Sequence, residues 1–157
     1  MIFTATIFLA FCASGQTDTL FKQRVGKIVS EYSNSFRGFT GNQKLSGVPK
    51  QLFVHPGLQG GIDELRIWDD TLFIYSSIIL EQGDSSSTRR KVEQLDVQLQ
   101  SALGPQFARE VLNLSFSGEQ EVPLSYKSRN IEVYVSVGKF KDKYMTLLAF
   151  KGHGQKE

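Results

Sequence analysis

The sequence predicts an α+β fold: a mainly antiparallel, twisted sheet of five to six strands, with two amphipathic helices on one face as a two-layer sandwich. Two segments carry apolar residues at helical spacing, one early in the chain and one near its middle. Several strand-like segments follow one another through short turns, the mark of antiparallel pairing. Two helices cover only one sheet face well, which leaves the other open. The expected order is a helix, two or three strands, a helix, then three or four strands.

The first helix is expected over residues 17–37. Phe21, Val25, Ile28, Val29, Tyr32 and Phe36 recur at spacings that place them on one side. Thr17 or Asp18 suits its N-cap, and Gly38 and Gly41 suit its stop. A Gly-rich stretch follows, with a short strand at residues 51–55 ended by Pro56-Gly57. Residues 62–68 and 71–80 read as a hairpin turning at Asp69-Asp70. The second arm is apolar at Leu72, Phe73, Ile74, Ile78, Ile79 and Leu80, so both its faces should be covered in part.

The polar loop at residues 82–88 offers N-cap candidates for a helix from about Thr88 to Leu103. Its apolar face is Val92, Leu95, Leu99, Ala102 and Leu103, and Gly104-Pro105 ends it. The remainder reads as strands. Leu112, Leu114 and Phe116 alternate with polar residues, and residues 122–126 form a short strand. Ile131, Val133, Val135 and Val137 alternate with Glu132, Tyr134 and Ser136, the cleanest period-two signal in the chain. A turn at residues 138–142 leads into a strand at 144–150, and the polar tail from 151 is expected to fray.

The first 15 residues read as a cleavable secretory leader. Up to Cys12 the chain is uncharged and mostly apolar, too short to span a bilayer core of about 20 residues. Ala13 and Gly15 give the small-x-small pattern before Gln16, so cleavage is expected between Gly15 and Gln16. The leader lacks the usual basic start. The expected location is periplasmic or secreted. Residues 16–157 then form one α+β domain with no transmembrane segment. Cys12 is the only cysteine, so cleavage leaves a thiol-free domain. A lipid anchor on Cys12 is the minority reading, because Phe11 is large where a lipoprotein signal has a small residue.

Composition bounds the chemistry. A net charge of +2 is too mild to point to nucleic acid. Two separated histidines, His55 and His153, with no second thiol argue against a metal site. No Gly-x-Ser-x-Gly elbow appears. The glycines at residues 57–61 lack the ending of a phosphate loop. Asp69-Asp70 and the carboxylates near Gly118 read as turn residues, and Asn113-Leu-Ser115 fits a glycosylation sequon inside an expected strand. No catalytic residue, metal ligand or cofactor is therefore assigned.

What remains is binding. If the valines of residues 131–137 face the helices, Tyr134 faces away, with Trp68 or Tyr75 as neighbours able to grip a ligand. Arg89 and Arg90 oppose the macrodipole at a helix start, a hint of use at an anionic surface. The expected function is an exported, non-catalytic binding or accessory protein of the cell envelope. Its partner is expected to be a protein or a small envelope ligand, and its state a monomer or homodimer. The alternatives are a small secreted hydrolase-like enzyme with dispersed site residues, and an export or assembly chaperone.

Overall fold

A computed structural model describes residues 5–34, 36–40, 50–68, 72–111 and 120–153. The first helix, α1, spans Ala5–Tyr32. It starts upstream of the expected point, so Thr17 and Asp18 lie within it rather than at its cap. The helix-favouring Ala5, Leu9, Ala10 and Ala13 upstream extend it. It also stops earlier than the expected residue 37. The Glu31 carbonyl accepts from the amides of Asn34 at 3.1 Å and Phe36 at 2.8 Å, and Phe36 turns the chain at a φ of 56°. That break lets the Phe36 ring reach Phe73 at 5.3 Å and the Phe39 ring reach Tyr75 at 5.6 Å. The Glu31 carboxylate accepts from the Gly38 amide at 2.7 Å and so seeds the short helix α2, Arg37–Thr40.

Three strands follow: β1 (Lys50–Val54), β2 (Asp63–Trp68) and β3 (Leu72–Gly83). The helix α3, Ser85–Leu103, begins three residues before the expected Thr88. Its N-cap is Asp84, in extended conformation, whose side chain accepts from the Ser87 amide at 2.7 Å. Gly104, at a φ of 76°, ends it. Then come β4 (Ala108–Val111), β5 (Gln120–Lys127), β6 (Ile131–Phe140) and β7 (Lys143–His153).

The seven strands form one antiparallel sheet in the order β1-β2-β3-β7-β6-β5-β4, so the protein is a mixed α+β fold. Five to six strands were expected; the extra one is β4. The alternating run at Leu112, Leu114 and Phe116 lies outside the described residues, and the strand found is the one just before it. Of the tail expected to fray from 151, residues 154–157 lie outside the described residues, and the first three belong to β7. Lys151 and Gly152 pair with both β3 and β6, and His153 pairs with Leu72, because backbone pairing does not require apolar side chains. The turn at Asp69-Asp70 lies outside the described residues, but the register Trp68↔Leu72 places β2 and β3 as the expected hairpin.

The crossover from β3 to β4 passes over β7, β6 and β5. Four strand spacings come to roughly 19 Å, and a helix of 19 residues is about 28 Å long. The helix is longer than the span it has to cross, and α3 touches β3, β7 and β5 on its way.

Register sorts the residues by face. Leu65, Tyr75, Phe150, Val133 and Tyr126 form one row across the sheet, and Ser77, Leu148, Val135 and Leu124 form the next. All of these but the polar Ser77 join Phe21, Val25 and Ile28 of α1 and Val92, Leu95 and Leu99 of α3 in a single core. The opposite face carries Glu64, Ser76, Ala149, Tyr134 and Ser125 in one row, and Arg66, Ile74, Lys151, Glu132 and Lys127 in the next.

Candidate functional site

The outer sheet face gathers the aromatic residues picked out in the sequence, in part. Trp68 and Tyr134 line one open cleft of about 480 Å³, together with Ile74, Ile78, Met145 and Leu147. Period-two alternation places them there: each lies one residue out of phase with the buried residues of its own strand. Phe53 is 69% exposed, Ile62 67% and Ile78 55%, so the cleft is bordered by uncovered apolar side chains. Its polar rim is Glu64, which pairs with Arg66 at 3.0 Å and accepts from the Gln51 amide. Burial acts to raise the Glu64 pKa, but the hydrogen bonds from Arg66 and Gln51 outweigh it and hold the carboxyl below its ordinary value. Burial, followed by the charge of Glu132, pushes the Tyr134 hydroxyl up.

Tyr75 does not join Tyr134. It stands one strand position out of phase with Ser76, on the core face, and is 1% exposed. Its hydroxyl donates to Asp63 Oδ2 at 2.8 Å. Arg89 and Arg90 stand exposed near the start of α3 and line no part of the Trp68 cleft.

Asp63 is the polar centre that sequence reading missed. It opens β2, is 4% exposed, and accepts from three donors: the Leu58 amide, the Tyr75 hydroxyl and the Ser77 hydroxyl at 2.7 Å. The loop between β1 and β2 folds over it. Gly57 donates to the Gly61 carbonyl at 2.7 Å, and Arg24 of α1 donates to the carbonyls of Gly57 and Leu58 at 3.0 and 3.1 Å. Only glycine fits at position 57, because a Cβ there meets the Asp63 carboxyl carbon at 2.4 Å. Burial first, then the bond to Asp63 and its negative charge, lift the Tyr75 pKa far above the usual phenol value, with Arg24 opposing. Three donors thus occupy the carboxylate, and the cluster pins the loop to the sheet. Nothing local marks Asp63 in the sequence: its side-chain partners Tyr75 and Ser77 lie 12 and 14 residues away and meet it through strand pairing, and only the Leu58 amide comes from the adjoining loop.

A second polar link ties α3 to the far sheet edge. Arg109 of β4 grips Asp96 with two nitrogens, at 2.8 and 2.5 Å, and the Tyr126 hydroxyl donates to the Asp96 backbone carbonyl at 3.0 Å. The Arg109 bonds hold Asp96 below its ordinary pKa against desolvation, with Tyr126 and Gln100 assisting. Burial and the bond to Asp96 push Tyr126 up.

Among the described residues, no three His, Cys, Asp or Glu side chains converge as a metal site, and no helix is long and apolar enough to cross a membrane. The chain matches no family model, no curated protein and no solved structure.

Proposed function

We propose that this is an exported, non-catalytic binding protein of the cell envelope that holds an apolar partner on its outer sheet face. The observation that carries the reading is the open cleft between Trp68 and Tyr134, bordered by exposed Phe53, Ile62 and Ile78. A contiguous uncovered apolar patch on a folded domain marks a contact surface. The polar clusters favour the same reading, since the Asp63 and Asp96 carboxylates are occupied by structural donors.

The architecture is taken as a two-layer sandwich, with α1 and α3 over the face that bears Leu65, Tyr75 and Phe150. The stacking of Phe36 on Phe73 and the reach of Tyr126 to Asp96 support that layering. Export rests on the apolar leader, cut between Gly15 and Gln16. Phe21, Val25, Ile28 and Tyr32, which anchor α1 in the core, all lie beyond that cut, so cleavage removes none of them.

The test is cross-linking and mass spectrometry of the protein purified from its native host, for wild type and Ile78→Asp. Ile78 is exposed, so the variant is expected to fold with an unchanged melting temperature. Placing a charge in the centre of an apolar contact is expected to weaken capture of the partner about tenfold or more. Equal capture by both proteins, or a native chain that begins at Met1, defeats the corresponding half of the proposal.

A further inference from the structure

A second cleft, of about 450 Å³, opens on the other side of β1, between that strand, α1 and α2. Its volume falls in the range of small-ligand sites, roughly 300–1,000 Å³. Its chemistry is divided. Ile28, Phe39, Leu52 and Val54 give apolar wall, while Arg24 and Lys27, one helical turn apart on α1, give two cations. No carboxylate lines it among the described residues.

Arg24 is half-buried and directs Nη1 to the carbonyls of Gly57 and Leu58, which hold that end of the guanidinium in place. Lys27 Nζ lies 5.1 Å from the centre of the Phe39 ring. Neither forms an ion pair among the described residues. Arg24 is held by neutral carbonyls and the exposed Lys27 by a ring face, so the positive charge of both remains available to an anion. A fixed guanidinium beside an apolar wall is complementary to a carboxylate carried on an apolar body.

We infer that this cleft binds a small amphipathic carboxylate, its head between Arg24 and Lys27 and its apolar body on Ile28, Phe39, Leu52 and Val54. Two cations set the head at a single anionic group, and the length of apolar wall excludes a free inorganic anion as the preferred ligand. The inference does not rest on the outer-face reading; Phe53 of the edge strand is the one residue lining both clefts.

The experiment is calorimetric titration of the full chain with decanoate, decanol and inorganic phosphate. Decanoate is expected to saturate one site, to bind about tenfold or more tightly than decanol or phosphate, and to weaken as salt rises. Lys27→Met, at an exposed position, is expected to lower decanoate affinity about fivefold, and Arg24→Gln more than tenfold. Because Arg24 also braces the loop, Lys27→Met alone decides the matter if Arg24→Gln disturbs the fold. Equal affinity for decanoate and decanol, phosphate binding as tightly as decanoate, or a Lys27→Met variant indistinguishable from wild type each overturns the site. Ile78→Asp is expected to leave decanoate affinity unchanged, so failure here is separable from failure of the outer-face contact.

Discussion

Replacing Asp63 by Ala tests whether the buried carboxylate organises the β1–β2 loop. The side chain accepts from the Leu58 amide, the Tyr75 hydroxyl and the Ser77 hydroxyl, all buried. Its loss strands three donors. An unsatisfied buried donor costs about 1–3 kcal/mol, so three of them set an upper range of roughly 3–9 kcal/mol. Water entering the space and relaxation of the loop reduce this, and the expected loss is about 3–5 kcal/mol. That is a large share of a typical stability of about 5–15 kcal/mol. The assay is equilibrium urea unfolding at neutral pH, followed by far-ultraviolet dichroism and Trp68 fluorescence. Adding Tyr75→Phe and Ser77→Ala to Asp63→Ala removes two of the stranded donors. The triple variant is therefore expected to be more stable than Asp63→Ala alone, by about 1–2 kcal/mol. A loss below about 1 kcal/mol for Asp63→Ala, or no recovery in the triple variant, refutes the reasoning.

Two further predictions concern titration. Asp84 caps α3, and its bonds to Ser87 and Ser86 lower its pKa to about 2. A depressed carboxylate pKa adds stability above the unfolded value of about 3.9, and this is lost as pH falls through the folded value. Asp84→Ala is thus expected to lower the melting temperature at neutral pH, with the gap to wild type closing between about pH 4 and pH 2; a gap independent of pH contradicts the capping account. Tyr75 and Tyr126 have raised pKa values, through burial and their bonds to Asp63 and Asp96. A raised phenol pKa stabilises fully below about pH 10, and that contribution is lost as pH rises toward the folded value. Stability is expected to fall above pH 10, by up to ~1.4 kcal/mol per pH unit for each tyrosine. Urea midpoints of Tyr75→Phe that decline with pH as steeply as wild type would count against Tyr75 as a source.

Sequence periodicity located α3 and β6 closely, because each has one apolar face against the core and one polar face. β4 carried no such signal: all four of its residues are exposed, and it is held by pairing with β5 and by the grip of Arg109 on Asp96. The run Leu72-Phe-Ile-Tyr75 is apolar on both faces, so its phase is not readable from composition. Register against β2 turns Tyr75 to the core and Ile74 to the outer cleft. The outward side of Tyr134 was legible because it stands within clean alternation, whereas its sharing a cleft with Trp68 depends on the sheet order. Nothing in the sequence singles out Arg24 and Lys27. Their common cleft depends on α2 folding back through Phe36, a turn that no residue propensity announces.

The outer sheet face is not uniform, and its division bears on where a partner sits. One row runs from Arg66 on β2 through Ile74 on β3 to Lys151, Glu132 and Lys127, and is ionic without interruption from β7 to β5. Beyond β7, Lys127 pairs with Glu110 at 3.0 Å and Glu132 at 3.6 Å. Exposed pairs of this kind contribute about 0–1 kcal/mol, so stability does not account for the ladder. Charged side chains beside the short edge strand β4 do oppose pairing with another sheet. The opposite edge, β1, has the exposed Phe53 instead and borders both clefts. If the outer-face proposal holds, the partner's apolar surface is expected over Phe53, Ile62, Ile74 and Ile78 and its charges toward β6 and β5. A charge reversal at Lys127 is then expected to alter the rate of encounter, and a charge at Ile78 the lifetime of the contact.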